Sequence, residues 1–291
     1  MAELRLLRPG DEAALDAFLV AHADSSMFLR SNARAAGLVD GGEPLQATYV
    51  AAIREGGGGG GAIAGVVAHC WNGMVLVQAP AHAAELARDA VRRSRRAVTG
   101  FSGPWAQVVA ARAALGLTAA PAIKDSRDDL YALDLERLVV PPQLAIGAVR
   151  CRRPRPEDLE LLVEWRARFS VEALGAADGP DLRRASRAEV QLQHERGADW
   201  VLFDHGNPVA YSVFNAMLPD IVQIGGVWTP PECRGWGYAR SVVAGSLVAA
   251  RKQGVARAVL FADPVNGAAR AAYLSIGFEI VGDYGLVLLA P

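Results

Sequence analysis

Residues 229–240 read TPPECRGWGYAR and run straight into the apolar stretch SVVAGSLVAA at 241–250. Pro230 and Pro231 cannot donate to a sheet ladder, so a strand arriving through IVQIGGVW (221–228) is released there. Gly235 and Gly237 can adopt positive φ and bring no Cβ to an approaching group, while Ala239 keeps the start of the next helix uncrowded. The first N–H groups of a helix have no intrahelical acceptor and lie at the positive end of its dipole. A strand, a glycine-bearing turn and a helix in that order describe an anion cradle. Two common phosphate patterns are excluded. No Gly-Lys-Ser/Thr follows, and the third glycine and later acidic residue of a dinucleotide fingerprint are missing.

Working outward, a hairpin turning at Asp204–Pro208 precedes the strand. After the helix come the strand ARAVLFADP, a helix across NGAARAAYLSIG and a closing strand GDYGLVLL. Upstream, VRCRRPRPEDLELLVEWRARF predicts a strand, a Pro-marked turn and a helix that places Leu159, Leu162, Val163 and Trp165 or Phe169 toward one face. The same order opens the chain in LRLLRPGDEAALDAFLVAHA, so an internal repeat of about 145 residues is the economical reading. In the first half TYVAAIRE, AIAGVVAHCW and MVLVQAP predict strands, followed by helix, strand, helix and the last strand DLYALDLERL. VVPPQLAIG then reads as a linker. Two α+β domains are expected, residues 1–140 and 147–291.

The run Gly56–Gly61 leads into a strand, not a helix, and reads as a hairpin connection instead of a phosphate loop. The first half repeats the rhythm without the cradle, because no Arg-x-x-Gly-x-Gly/Ala follows MVLVQAP.

The 291 residues suit two domains, and 52% apolar against 21% charged residues is a soluble globular composition. Thirty basic residues nearly balance thirty-one acidic ones, which argues against a nucleic-acid scaffold. Cys70, Cys151 and Cys233 stand far apart without histidines at ligand spacing, so no structural metal and a reduced, cytoplasmic setting are expected. His22, His69, His82, His194 and His205 form no spaced cluster. No apolar run reaches the roughly 20 residues of a membrane span, and Asp11, Glu12 and Asp16 interrupt any signal-peptide core. Lys124 and Lys252 are the two lysines of the chain, a bias that with abundant Ala and Gly points to a GC-rich bacterial genome.

The order V-x-T-P-P-E-x-R-G-x-G-Y-A over Val227–Ala239, then N-x-x-A-x-x-x-Y-x-x-x-G-F over Asn266, Ala269, Tyr273, Gly277 and Phe278, resembles the GNAT N-acetyltransferase superfamily. The motifs cover roughly residues 220–285. The resemblance implies two GNAT-like domains, the first degenerate, each a mostly antiparallel mixed sheet flanked by helices with a splayed central strand pair. It also implies acetyl-CoA as co-substrate and a primary amine, small-molecule or peptide, as acceptor. Backbone groups at Val227, Trp228 and Thr229 would pair with pantetheine, and the amides of Arg234, Gly235, Trp236, Gly237, Tyr238 and Ala239 would hold the pyrophosphate. Asn266 would anchor the coenzyme arm and Tyr273 would lie near the thioester sulfur.

Acyl transfer to an amine requires an oxyanion donor, a proton donor for the departing thiolate and a route for the amine's proton. Val227 N–H and Tyr273 match the first two roles. For the third, many relatives use a glutamate on the splayed strand, whereas IVQIGGVW offers only Gln223, leaving Asp220, Glu232 or a water relay. The bland alternatives are a core role for Tyr273, a helix cap for Asn266, a turn role for Asp263, loop packing for Trp228 and Trp236, and a solvated face for Arg92, Arg93, Arg95 and Arg96. The degenerate half would shape the acceptor site or serve dimerisation. Against the enzyme stand a non-catalytic CoA-binding sensor or regulatory protein, motivated by the missing base, and a Fem-type aminoacyl transferase, disfavoured by near-neutral charge and the intact cradle.

Overall fold

The structure is a computed structural model that describes residues 3–54 and 61–290. Gly56–Gly60 of the glycine run therefore lie outside the described residues. Two compact units account for the chain, Met1–Asp129 with Gly282–Pro291, and Leu130–Val281.

The first unit is built from β1 (Glu3–Leu6), α1 (Glu12–Val20), α2 (Met27–Ala36), β2 (Ala47–Arg54), β3 (Ala62–Cys70), β4 (Met74–Gln78), α3 (Ala83–Ser94), β5 (Gly100–Gly103), α4 (Trp105–Ala114) and the start of β6 (Ala122–Asp134). Its strands pair in the order β1-β2-β3-β4-β5, antiparallel except for the parallel pair β4–β5. Apolar residues fill both faces. Leu86, Ala87, Phe101 and Val108 form one cluster, and Leu15, Leu19, Tyr49 and Val66 form another. Arg96, read as part of a solvated basic face, turns inward to pair with Asp40 and to donate to the His69 carbonyl.

Beside β5 lies the end of the chain. In β12 (Glu279–Leu289), Gly285–Leu288 run antiparallel to Gly100–Gly103, and Val287 and Phe101 face each other fully buried. Conversely, Leu130–Asp134 of β6 belong to the second unit. Linear order assigns DLYALDLERL to the first half and GDYGLVLL to the second, whereas the folded chain exchanges most of these two segments. Both are alternating strands with a buried face, so pattern alone does not tell which sheet each completes.

The second unit comprises α5 (Pro142–Ala145), β7 (Val149–Arg152), α6 (Leu159–Leu174), α7 (Pro180–Glu195), β8 (Asp199–Asp204), β9 (Asn207–Met217), β10 (Ile221–Trp228), α8 (Tyr238–Lys252), β11 (Arg257–Ala262) and α9 (Gly267–Ser275). The strand order is β11-β10-β9-β8-β7, with β10–β11 parallel and the other pairs antiparallel. Each unit is thus a mixed, mostly antiparallel sheet flanked by helices. Helix α8 buries Val242, Val243, Ala244, Leu247 and Ala250 along one stripe, and burial of each Val or Leu contributes about 1.5–3 kcal/mol. That fixes where its N-terminus lies. The Pro141–Pro142 segment, read as a linker, is a helical turn docked against α8, with Val140 and Leu144 packed on the unit's core.

The strand exchange has a measurable consequence. A double-mutant cycle of Phe101→Ala and Val287→Ala, read by denaturant unfolding, is expected to show a coupling of about 0.5–1 kcal/mol, because the side chains share one buried cross-strand pair. Additive losses would mean that the chain's last strand is not in this sheet.

Candidate functional site

The site is built where two strands part. β10 and β11 are in register over Ile221↔Arg257, Val222↔Ala258 and Gln223↔Val259, and beyond Gln223 the register ends although both strands continue. On its other side β10 stays with β9 through two irregularities, between Gln223 and Ile224 and between Gly225 and Trp228. The second inserts an extra residue into β10, which bends a strand and re-aims its backbone. Gly225, Gly226 and Val227 are only half-buried there, although flanked by buried Ile224 and Trp228. The result is a fork whose β10 edge has no registered partner strand from Ile224 onward.

At the end of β10 the chain passes Pro231–Cys233 as a single 3₁₀ turn and enters the glycine loop. Gly235 and Gly237 have φ of +87° and +76°, and Gly237 is the residue before α8. Both values lie in the left-handed region that a side chain disfavours. Among the described residues, none of the six consecutive amides from Gly235 to Arg240 donates a hydrogen bond. Ser241 N–H is the first to find an acceptor, the Gly237 carbonyl at 3.2 Å. Six free donors in a row at the positive end of a 15-residue helix are the cradle that the sequence implies.

Side chains from three other elements tie this loop down. Gln143 of α5 donates to Ser241 Oγ at 2.8 Å, and Ser241 Oγ donates to the Gly237 carbonyl at 3.0 Å. Tyr238 donates its hydroxyl proton to Asp204 Oδ2 at the β8–β9 hairpin. That bond to the carboxylate pushes the Tyr238 phenol up to about 12 and holds Asp204 below its ordinary value, with His205 Nδ1 a further 2.8 Å partner. Arg234 does not turn its side chain toward the amides. Its guanidinium donates to the Thr229 carbonyl at 3.0 Å, pairs with both oxygens of Glu172 on α6 at 2.8 and 2.9 Å, and stacks over Trp228 at 5.1 Å.

Arg240, by contrast, has no ion-pair partner among the described residues, and its guanidinium lies across Gly237, where a Cβ would come within 2.8 Å of Nε. A lone cation is unfavourable at a helix N-terminus unless an anion joins it. Sequence reasoning stopped at Ala239 and missed it, although it directly follows the motif. Gln143 and Asp204 were missed because their contacts bridge 98 and 34 positions and leave no local signal.

Val227, Trp228, Tyr238 and Tyr273 belong to one apolar cluster. Tyr273 is 8% exposed, with its ring edge-on to Tyr131 at 5.8 Å and Phe278 at 6.1 Å, and its hydroxyl has no hydrogen bond to a described residue. Burial, with Tyr131 adding to it, raises its pKa, so it stays protonated at neutral pH. Asn266 caps α9, its Oδ1 accepting from Ala269 N–H at 3.0 Å. Asp263 Oδ1 closes a turn by accepting Val265 N–H at 2.9 Å. Trp228 packs into the core, whereas Trp236 is 69% exposed in the middle of the free amides. Among the described residues no group of three His, Cys, Asp or Glu is arranged for a metal ion, and no helix is long and apolar enough to cross a membrane.

With this geometry in view, comparison with known proteins is specific. Residues 159–278 match the acetyltransferase (GNAT) family. The second unit carries a GNAT-family acetyltransferase domain. No curated protein matches the sequence. Among solved structures, a Drosophila protein aligns with a TM-score of 0.68 at 16% identity, covering 100% of this chain and 99% of its own. A GNAT-family acetyltransferase from Colwellia psychrerythraea aligns at 0.55 and 14% identity, covering 99% and 100%. A GCN5-related N-acetyltransferase from Sphaerobacter thermophilus aligns at 0.57 and 16%, covering 98% and 94%. At these identities the likeness is one of fold, and it extends over the whole chain.

The tether from the hairpin to the GNAT loop can be read optically. Ultraviolet titration of Asp204→Asn is expected to show one phenol moving from about 12 back toward 10, since the hydrogen bond that raised it is removed. An unchanged titration curve would mean that Tyr238 is not held by Asp204.

Proposed function

We propose that the protein is an acetyl-CoA-dependent N-acetyltransferase that transfers the acetyl group to a primary amine, with the donor bound by the second unit. The observation that carries this is the row of free amides at 235–240 directly beyond the β10–β11 fork, in a GNAT-family domain. Amides 235–239 donate to the pyrophosphate, with Arg240 as an additional cation, and the open edge of β10 at Val227–Trp228, continued by Thr229, pairs with the pantetheine amides. The Arg234 N–H, expected to join the pyrophosphate donors, is taken by the Pro231 carbonyl at 3.2 Å, so Arg234 contributes, through Glu172 and Trp228, the position of the loop.

In the transfer the amine nitrogen attacks the thioester carbonyl, the new N–C bond forms and the C–S bond breaks. Val227 N–H donates to the carbonyl oxygen as it becomes negative. Tyr273, kept protonated by burial, donates a hydrogen bond to the departing thiolate. Because the phenol is a weaker acid than a thiol, it stabilises the leaving group without giving its proton up outright.

The first unit is a poor host for a second donor. Its parallel pair β4–β5 stays together, with Gly103 so close to the Val77 carbonyl that a Cβ would fall 2.3 Å from it. At the end of β4 the Gln78 side chain accepts from Ser25, and past it Ala79 N–H is taken by Gln107 Oε1 at 2.6 Å and Pro80 offers no N–H.

A second reading, a CoA-binding sensor without turnover, is favoured by one observation: Gln223 stands on β10 where a carboxylate base would be useful, and it is buried. Thiol release from acetyl-CoA across an amine panel separates the two. The enzyme reading predicts turnover, with Tyr273→Phe lowering kcat by about 10²-fold and leaving the acetyl-CoA KM within a factor of two. Saturable acetyl-CoA binding with no turnover on any amine would establish the sensor instead.

A further inference from the structure

The face of β10 that looks toward α6 and α7 carries neutral amides where proton transfer would call for a carboxylate. The face is fixed by register. Asp199 pairs with Val213, Val213 with Gly225, and Tyr211 with Trp228, so these residues point the same way. His194 of α7 meets Asp199 on that side, and Glu172 of α6 meets the Arg234 that stacks on Trp228. Gln223, two residues from Gly225, shares the face and is the last residue of β10 paired with β11. It is 3% exposed, and its Oε1 has no partner among the described residues. Asn215 is the extra residue of β9 where the register moves from Phe214 to Ala216. Its amide fills the space over Gly225 so closely that a Cβ there would fall 1.9 Å from Nδ2. It makes no side-chain hydrogen bond to a described residue. Two unengaged amide side chains therefore flank Gly225 at the fork.

The carboxylates packed around this face are already paired. Asp199, fully buried, holds Arg153 at 2.8 Å and His194 at 3.3 Å. Glu189 of α7 holds Arg166 of α6 at 2.8 Å, and Glu172 holds Arg234. The Tyr211 phenol is kept protonated, chiefly by burial. Asp220 lies at the opposite end of β10 from the fork, exposed, and Glu232 is exposed in the loop. Like Glu232, Asp263, just past β11, has no ion pair among the described residues, and its Oδ1 is engaged by Val265 N–H.

We propose, building on the acetyltransferase reading, that the acceptor is a weakly basic primary amine that arrives uncharged and is oriented by Asn215 and Gln223. An amide oxygen accepts an N–H and so aims the nitrogen lone pair, but it cannot take a proton near neutral pH. An alkylammonium like that of lysine, with pKa about 10.4, is only about one part in a thousand neutral at pH 7.4, whereas an α-amine of pKa near 8 is about one-fifth to one-third neutral. A fork whose own unengaged side chains are amides therefore favours the second class by a few hundred-fold. The balance closes without a further group: the neutral amine forms the N–C bond, the C–S bond breaks, and one amine proton ends on the leaving sulfur through solvent.

The test is acetylation of primary amines graded in pKa from about 5 to 10.5 at pH 7.4, read by thiol release. For amines more basic than the buffer pH, kcat/KM is expected to fall about tenfold per unit of amine pKa, tracking the neutral fraction. Gln223→Glu is expected to raise kcat/KM for the most basic amines at least tenfold without changing acetyl-CoA affinity. Asn215→Ala is expected to raise the amine KM about tenfold while the acetyl-CoA KM stays put. The wild-type pH profile with a basic amine, which needs no variant to fold, is expected to rise without a plateau until the amine itself titrates. Equal use of basic and weakly basic amines at pH 7.4, abolished by Asp263→Asn, would overturn the proposal and assign Asp263 as base. Binding of acetyl-CoA with no transfer to any amine would overturn the acetyltransferase reading itself, and this proposal with it.

Discussion

The second unit is organised around backbone donors that the fold leaves without acceptors. Six amides from Gly235 to Arg240 face out from one helix start, and a folded chain satisfies most such groups internally. They remain unengaged because left-handed glycines hold the loop open and because the side chains nearby are committed elsewhere. Gln143 and Ser241 take the Gly237 carbonyl side, Tyr238 is drawn to Asp204, and Arg234 is drawn to Glu172. Each tether is modest, since exposed ion pairs contribute about 0–1 kcal/mol. Their combined effect is to fix the direction of the donors, which is what an anion site requires. The packed stripe of α8 supplies the larger energy that keeps the helix start in place.

The same constraint explains how two units of like architecture differ. In the second, the parallel strands part after three registered pairs and the released edge of β10 is left open. In the first, the strand ends are closed on themselves by Gly103 against Val77 and by Gln107 on Ala79 N–H. Two mostly antiparallel sheets flanked by helices thus differ at their strand ends, and among the described residues the open edge with its row of free amides belongs to the second unit.

Much of this was legible in the sequence because it is local. Proline ends a strand, glycine opens a helix, and the spacing from Asn266 to Tyr273 lies within one helix, so the cradle, the fork strand and α9 could be placed by pattern. Asn266 and Asp263 also took the structural roles weighed beside the functional ones, as cap and turn residue. What escaped is long-range. The exchange of β6 and β12 segments depends on which of two similar strands pairs with β5, and Gln143 acts through a helical turn that two prolines disguised as a linker. Arg96 hides in a basic run but turns inward to Asp40, 56 residues away. Asn215 lies over Gly225 because of a register shift, and no period-2 reading of β9 can show that shift.

The most direct test of the central claim is amide hydrogen–deuterium exchange on the intact chain with and without acetyl-CoA. Residues 235–240 and the open part of β10, 224–229, are predicted to exchange quickly when free and to gain protection together on binding, with no change at 79–85 in the first unit. Protection confined to other segments, or none in 235–240 at saturating acetyl-CoA, would contradict the assignment of these amides as the donor site.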